Sequence, residues 1–418
     1  MRRREALRLL AALGLVGLAG LAGPGEALGR GRSRRHERGG ATRPPWRVGK
    51  QLVVVFLQGG PDGLSVAAPV SDPLYHALRP TTSLSPDCGG LELGRGFLLH
   101  PAMAALGGLH RKGQLAVVPA CAMPGVGEQH GPAQEAFARG APSSEKNVRG
   151  GWLGRLSLAL GGWRGQMLVA GRSTIFSGAP HYSLVSARRG ASLPGLPVED
   201  QALYDAVERL YAGKDALDKA FASGRKARRA ALARLLAESR RAASGAISAP
   251  AFPDFALRFG RQLAKRRDVA LAFLAVGGFD THSGQGGATG YLADRLRETA
   301  VGLSRLATGL DRFWDDTVIV ALGEFGRGAR ENGFGGTDNG QGGVMLVMGG
   351  PVAGGLRGDW PGLAGHRLAG GRDVAVATDW RDVAAGICTR HLGLPEKGLA
   401  EVFPGFRPGK GVPDILAG

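Results

Sequence analysis

Apolar runs that stop at glycine and an acidic residue are the main pattern of hydrophobic and polar positions in this chain. Residues 52–57 (LVVVFL) lead into Gln-Gly-Gly-Pro-Asp, residues 269–276 (VALAFLAV) into Gly-Gly-Phe-Asp, and residues 317–322 (TVIVAL) into Gly-Glu. Short, continuous apolar runs rich in β-branched residues are typical of strands buried on both faces. A fourth run, residues 344–348, follows a polar loop. The pattern predicts a mostly parallel sheet.

Helical periodicity appears between these runs. Residues 291–314 place apolar side chains at three- and four-residue intervals between two predicted strands, which predicts a right-handed strand–helix–strand crossover. Residues 198–250 are rich in alanine, leucine, arginine and lysine and predict a helical insertion. We therefore expect an α/β fold with a mixed, mostly parallel central sheet, helices on both faces and this insertion.

Carboxylates and one histidine follow the predicted strand ends. In open α/β sheets, ligands bind outside the carboxyl ends of the strands, and an unpaired carboxylate is costly to bury. Carboxylates with imidazole suit Zn²⁺, Mn²⁺, Mg²⁺ or Ca²⁺ rather than a thiolate-type site. The predicted metal ligands are Asp62, Asp280, His282, Glu324 and Asp338. The alternatives are that Asp62 and Asp338 only form turns and that His282 is an ordinary loop histidine.

Three further residues are candidates for catalysis. Arg327 follows Glu324 by three residues and could bind two oxygens of a phosphate or sulfate group. Ser65 offers a hydroxyl near the first strand end, with no base evident beside it. His130 has no neighbouring metal-binding residue in the sequence, so a role there is the weaker interpretation.

Charge is concentrated near the amino terminus. The 418 residues carry a net charge of +18, and residues 1–50 hold 12 basic residues against 3 acidic ones. Aromatic residues make up only 6% of the chain and do not alternate with basic patches in its body, so we do not expect nucleic-acid binding. The three cysteines fit no metal-binding spacing and exclude a disulfide-rich scaffold.

The first 28 residues predict an export signal. Basic residues precede an apolar run, residues 9–22, which is shorter than the roughly 20 residues that a transmembrane helix needs. Arg3-Arg4 resembles a twin-arginine signal. We expect a basic disordered linker over residues 29–49 and a folded domain over residues 50–418. The protein would be exported to the periplasm or cell surface, with no membrane span after signal removal; an uncleaved anchor is the alternative.

Several motifs resemble one known family. They are LVVVFLQGGPDGL, FLLHPAMAALGGL, GGFDTH, DDTVIVALGEFGR, ENGFGGTDNGQG and ATDWRDV, in this order along residues 52–383. In these motifs the chain resembles the exported bacterial family DUF1501, which is grouped with alkaline phosphatases and sulfatases. The resemblance implies an alkaline-phosphatase-like fold, a divalent metal ion, and the five predicted ligands in metal-binding positions.

The resemblance leaves two functional interpretations. The first is a metal-dependent hydrolase acting on phosphate or sulfate esters, either small molecules or envelope polymers, with a co-exported protein as a further partner. The second is a catalytically degenerate envelope binding or assembly protein with the same fold. The second arises because Asn339 stands where the family usually has histidine, and Gln129 where it often has serine. Glutamine cannot act as the nucleophile.

Overall fold

The structure is a computed structural model that describes residues 49–161, 166–169, 174–179, 183–185, 209, 216–266, 268–409 and 414–417. The predicted export signal and almost all of the predicted linker lie outside the described residues, as does most of the insertion before residue 216. Within the described part of the chain, every helix is too short or too polar to cross a membrane.

The strands, numbered β1 to β15, follow the apolar runs closely. They are Gln51–Gln58, Ala67–Ala68, Leu91–Gly94, Phe97–Leu99, Leu115–Ala122, Gln166–Val169, Ser183–Val185, Ile247–Ser248, Leu271–Gly277, Thr317–Leu322, Gly326–Arg327, Asn339–Gly340, Gly343–Met348, Gly355–Leu356 and Thr378–Asp379.

The central sheet has the order β14-β5-β13-β10-β1-β9-β6-β7, with β15 beside β5 and β8 beside β9. The pairs joining β10, β1, β9, β6 and β7 are all parallel. Among the described strands of this sheet, β13 alone runs antiparallel to its neighbours, β10 and β5. Among the described residues the sheet is therefore mixed and mostly parallel, as predicted.

The helices, numbered α1 to α10, cover both faces of the sheet. They are Gly63–Val66, Pro73–Leu78, Gly107–Arg111, His130–Arg139, Trp152–Ala159, Ala216–Ala242, Phe252–Ala264, Tyr291–Leu310, Trp380–Gly386 and Leu399–Val402. Short 3₁₀ turns occupy Pro101–Leu106, Ala249–Ala251, Asp311–Asp316, Gly365–Arg367 and Glu396–Gly398, and Ile387–His391 is a π-turn.

Alternate residues of β1 point into two separate hydrophobic cores. Val54 and Phe56 pack in one cluster with residues of α4, α5 and α9, whereas Val53 and Val55 pack in another with α7 and α8. Because successive side chains of a strand point to opposite faces, a strand buried on both faces reads as a continuous apolar run. The predicted α/β architecture with helices on both faces is confirmed.

Three strand ends meet at one edge of this sheet. β1 lies between β9 and β10, and Phe56 pairs with both Ala275 and Leu322. The three strands are parallel, so the loops that follow them leave from the same edge. The loops carrying Asp62, Asp280 and Glu324 are therefore neighbours.

Helices α7 and α8 approach each other through glycines. A Cβ added at Gly302 of α8 would lie 2.2 Å from Cδ1 of Phe252. A Cβ at Gly260 of α7 would lie 2.6 Å from the Leu306 carbonyl oxygen. The absence of side chains there lets α8 pack closely beneath the strand end that carries Asp280.

We expect Gly302→Ala to lower the free energy of unfolding by about 1–3 kcal/mol, because the methyl group overpacks against a buried ring. Gly224→Ala in α6 is the matched control, since its Cβ would meet nothing within 4 Å. That change should raise stability by up to about 1 kcal/mol through helix propensity. Urea unfolding measures the change in the free energy of unfolding for both variants. Equal changes would contradict the close packing at Gly302.

Candidate metal centre

Asp280 is held at the edge of the sheet by the turn that follows β9. Gly278 has a φ of 110°, a value that glycine adopts without the strain a Cβ would impose. The next residue, Phe279, is completely buried in the core beside α8. The turn at Gly278 and the buried Phe279 side chain determine where Asp280 and, two residues later, His282 lie.

His130 reaches the same place from a different part of the chain. It is the first residue of α4, and its ring lies 4.8 Å from that of Phe325, centroid to centroid. Phe325 directly follows Glu324 in the loop after β10. Helix α4 thus delivers an imidazole to the strand ends from one face of the sheet.

His130, Asp280 and His282 form a buried cluster, which we call the triad. One ligand atom from each lies within 4.8 Å of the others. Oδ1 of Asp280 is 3.4 Å from Nε2 of His130 and 3.2 Å from Nε2 of His282. Within the described part of the chain, both Nε2 atoms and Oδ2 of Asp280 are buried without a hydrogen-bond partner. Three buried polar atoms without a partner in one small cluster are otherwise costly.

Each triad histidine is oriented by a carboxylate on its other ring nitrogen. Nδ1 of His130 donates to Oε1 of Glu324 at 2.8 Å, and Nδ1 of His282 donates to Oδ1 of Asp338 at 3.3 Å. An ionised carboxylate can only accept, so Nδ1 carries a proton, and Nε2 is the nitrogen that offers its lone pair to a ligand once it is deprotonated. Histidines that bind metals are usually held in this way.

Glu324 itself is firmly fixed. Its two carboxylate oxygens accept from the backbone N–H groups of Gly59 and Gly60, and Oε1 also accepts from Nε2 of Gln134 at 3.0 Å. Asp338 is more open, with a side chain 60% exposed, and Oδ1 also accepts from Nδ2 of Asn332 at 2.8 Å. The predicted ligands Glu324 and Asp338 thus contact the triad histidines rather than joining the triad atoms.

The charges of the cluster shift its ionisation. Burial lowers the pKa of His130, but the carboxylates of Asp280 and Glu324 outweigh it and raise the pKa to about 9. Burial raises the pKa of Asp280, but Arg327 and the two histidines hold it well below its usual range. The hydrogen bond from His282 lowers the pKa of Asp338. Asp280 is therefore ionised, with Arg327 and the two triad histidines around it.

Arg327 lies beneath the triad with its guanidinium enclosed. The residue is 1% exposed, and its donors reach the carbonyl oxygens of Gly59, Gly60, Phe279 and Thr337. Nη2 also donates to Oδ1 of Asp280 at 2.7 Å. The bond to Oδ1 leaves Oδ2 of Asp280 without a partner among the described residues, so Arg327 is placed to position a ligand.

Asp62 belongs to a separate buried network. Arg79 forms a two-pronged ion pair with it, and Gln285 donates Nε2 to Oδ2 at 2.7 Å. Burial raises the pKa of Asp62, but the attraction of Arg79 and the hydrogen bonds outweigh it and lower the pKa. Ser65 donates Oγ to the same oxygen at 2.7 Å. The network joins the loops after β1 and β9 away from the triad atoms.

Several functional contacts have no local signal in the sequence. Gln134 and Asn332 hold Glu324 and Asp338, while Arg79 and Gln285 neutralise Asp62. Each is a polar residue of a common type, and the sequence does not show which carboxylate it contacts. The signal for His130 is its position at the start of α4.

The donor set fits a divalent metal ion. Two imidazole nitrogens and one carboxylate oxygen are ligands that Zn²⁺, Mn²⁺ and related cations accept, and all three atoms lack other partners. A site with three protein ligands leaves at least one coordination position open, as catalytic zinc sites do. A buried His-Asp-His group of this kind indicates a metal ion, whose identity the donors do not specify.

The family resemblance is confirmed by comparison with known proteins. Residues 200–402 match the model of a family described as "Protein of unknown function (DUF1501)". The matched region includes Asp280, His282, Glu324 and Asp338, while His130 lies before it. No curated protein matches the sequence.

Solved structures that resemble this one include members of the alkaline phosphatase superfamily. A protein of that superfamily from Vibrio parahaemolyticus has a TM-score of 0.34 at 12% identity, over 72% of this chain and 60% of its own. The C-terminal periplasmic domain of EcEptC from Escherichia coli has a TM-score of 0.40 at 10% identity, over 88% and 89%. The PsFucS1 sulfatase from Pseudoalteromonas has 0.35 at 11%, over 81% and 67%. At such scores, no ligand or activity transfers to this chain.

We expect Asp62→Asn to destabilise the fold by about 3–5 kcal/mol at neutral pH, because it leaves Arg79 buried without a counter-charge. The control is Asp294→Asn, which breaks an exposed pair with Arg297 and should cost less than about 1 kcal/mol.

The loss should depend on pH in a defined direction. The folded-state pKa of Asp62 is lowered. Its ionised carboxylate therefore stabilises the fold fully above the unfolded-state pKa of about 3.9, and this stabilisation is lost as the pH falls through the folded-state pKa. Wild type and Asp62→Asn should therefore converge in acid, as urea unfolding across this range would show. A constant difference would contradict the ion pair.

Proposed function

We propose that this chain, whose residues 200–402 match DUF1501, is an exported, metal-dependent hydrolase of phosphate or sulfate esters. The observation that carries the proposal is the buried cluster of His130, Asp280 and His282, in which each residue has a potential ligand atom without a hydrogen-bond partner among the described residues. Such atoms need a partner, and a divalent cation satisfies all three at once.

In this proposal each side chain around the triad has a distinct task. Glu324 and Asp338 keep the proton on Nδ1 of the two histidines. Arg327 holds one oxygen of Asp280 and leaves the other for the cation. The bound metal would supply Lewis acidity towards an ester oxygen. Arg327 thus acts as a positioning residue, since its donors are used by the protein.

The site is accessible on the side of Asp338. The Asp338 side chain is 60% exposed, whereas those of His130 and His282 are 6% and 10% exposed. A substrate would therefore approach past Asp338, with the histidine rings forming the inner wall. This arrangement supports small ester groups or the ester groups of an envelope polymer.

Export and domain organisation complete the proposal. A twin-arginine-like signal over residues 1–28 and a basic linker over residues 29–49 would precede a single folded domain with a helical insertion at about 198–250. The described helix α6 lies within that insertion. The mature protein would act in the periplasm or at the cell surface, where a co-exported protein could be its partner.

One observation favours a second candidate, a binding or assembly protein that has lost catalysis. Ser65 is 2% exposed and is bonded to Asp62 and Gln285 rather than to a triad histidine. Asn339 donates to the Glu128 carbonyl oxygen and offers no imidazole. On this interpretation, a metal ion would stabilise a surface for an envelope partner without turnover.

Metal content tests the site. We expect His282→Ala and Asp280→Asn to lose bound metal, and Glu324→Gln to retain it with about 10- to 100-fold lower affinity, because Glu324 only orients His130. Mass spectrometry of natively folded protein and competition with a chelator measure both quantities.

His76→Ala is the control, since His76 contacts the Val70 carbonyl oxygen away from the triad and should keep its metal. A wild type without metal would overturn the metal centre. Retention of the metal by His282→Ala would show that His282 is not a ligand of the metal centre.

Turnover separates the two candidates. The hydrolase should cleave an aryl phosphate or aryl sulfate. Removal of the metal by a chelator, or His282→Ala, should lower this activity by at least about 100-fold. Metal binding without turnover of either ester class, in protein with a full complement of metal, would favour the binding protein.

A further inference from the structure

Arg295 lies beside the loop that carries Asp280. It belongs to the second turn of α8, and its Cδ is 3.3 Å from the position that a Cβ on Gly278 would occupy. The hydroxyl oxygen of Tyr291, one turn earlier, is also 3.3 Å from that position. Both side chains therefore pack over the bare backbone of Gly278, two residues before Asp280.

Two nitrogens of the Arg295 guanidinium lack partners. Arg295 is half-buried, and among the described residues its Nε and Nη1 are buried and have no hydrogen-bond partner. Arg327 and Arg79, by contrast, donate to carboxylates and carbonyl oxygens around the same loops. Buried donors without an acceptor are costly, so these two nitrogens point to a ligand that supplies acceptor oxygens.

Tyr291 holds the Arg295 guanidinium beside this loop. The guanidinium lies over the Tyr291 ring, with Cζ 5.1 Å from the ring centroid. The Tyr291 hydroxyl packs over Gly278, two residues before Asp280. Burial raises the pKa of Tyr291 to about 12.

We infer that Arg295 binds the anionic group of the substrate, a phosphate or sulfate oxyanion, beside the metal centre. This inference deepens and rests on the proposed function. An oxyanion offers several acceptor oxygens and a negative charge, which satisfy both needs of an unpaired guanidinium. Asp280 is compensated by Arg327 and the triad histidines, so it does not compete for Arg295.

The inference assigns anion recognition to Arg295 rather than to Arg327. Arg327 has the residue type expected for the task, but its donors are bonded to the protein. The Arg295 guanidinium lies over the Tyr291 ring, a cation–π contact that uses none of its N–H donors, and its Nε and Nη1 have no partner among the described residues. A neutral ester without an acidic group would gain little from this site.

Calorimetric titration of the metal-loaded protein with inorganic phosphate and, separately, inorganic sulfate tests the inference. We expect Arg295→Gln to weaken binding of the preferred oxyanion by at least about tenfold, the loss of a charge-assisted contact, with metal content unchanged. Arg297→Gln is the matched control, because Arg297 lies on the same helix, is 51% exposed and pairs with Asp294. It should bind like the wild type.

A purely structural role for Arg295 predicts a different result. If the arginine served only packing, Arg295→Gln would lower the melting temperature without changing anion affinity. We expect the reverse, with lower anion affinity and little change in melting temperature, because Nε and Nη1 of Arg295 make no hydrogen bond within the described structure that the substitution would remove. An unchanged affinity overturns the inference, whatever the melting temperature.

Failure of the inference and failure of the proposed function are distinguishable. If oxyanion binding requires the metal and His282 but not Arg295, the metal alone holds the anion and the inference fails while the metal centre stands. If the wild type holds no metal but binds the anion, and Arg295→Gln weakens that binding, the inference stands and the metal centre fails. A metal-loaded wild type that binds neither anion also overturns the inference.

Discussion

The buried guanidinium of Arg327 holds together the loops on which the candidate site depends. It extends from β11 and donates to carbonyl oxygens in the loop after β1, at Phe279 after β9, and at Thr337. Its charge is balanced by Asp280. Removing one partner of such a pair leaves an uncompensated charge in the interior, so the loops and the first ligand of the triad are stabilised together.

Buried charge is divided between two networks at this edge of the sheet. In one, Arg79 neutralises Asp62 and ties the loop after β1 to Gln285. In the other, Asp280 faces Arg327 on one side and two histidines on the other. The first network is complete within the protein, whereas the second leaves ligand atoms without partners. This difference distinguishes a structural carboxylate from one available to a cation, although both follow buried strands.

The fold could be predicted well from the sequence where burial is continuous. The run 317–322 is strand β10 itself, and the run 52–57 lies inside β1. The predicted helix over residues 291–314 was less complete, since α8 ends at Leu310 and a 3₁₀ turn follows. Asp311 has a φ of 50°, and apolar spacing does not reveal such a break because it reports burial rather than backbone conformation.

The sequence by itself determined that acidic residues follow buried strands and that these strand ends could share one edge, because continuous apolar runs and terminal glycines are local properties. Only the tertiary structure decided their tasks. The strand order β10-β1-β9 and the placement of α4 bring His130 to Asp280 and His282, while Glu324 and Asp338 contact the histidines from behind. Those distances join residues up to about two hundred positions apart, such as His130 and Glu324, and no local pattern encodes them. The ligand roles of the five predicted residues therefore remain predictions, and the geometry adds that Asp280 and His282 lie together with His130.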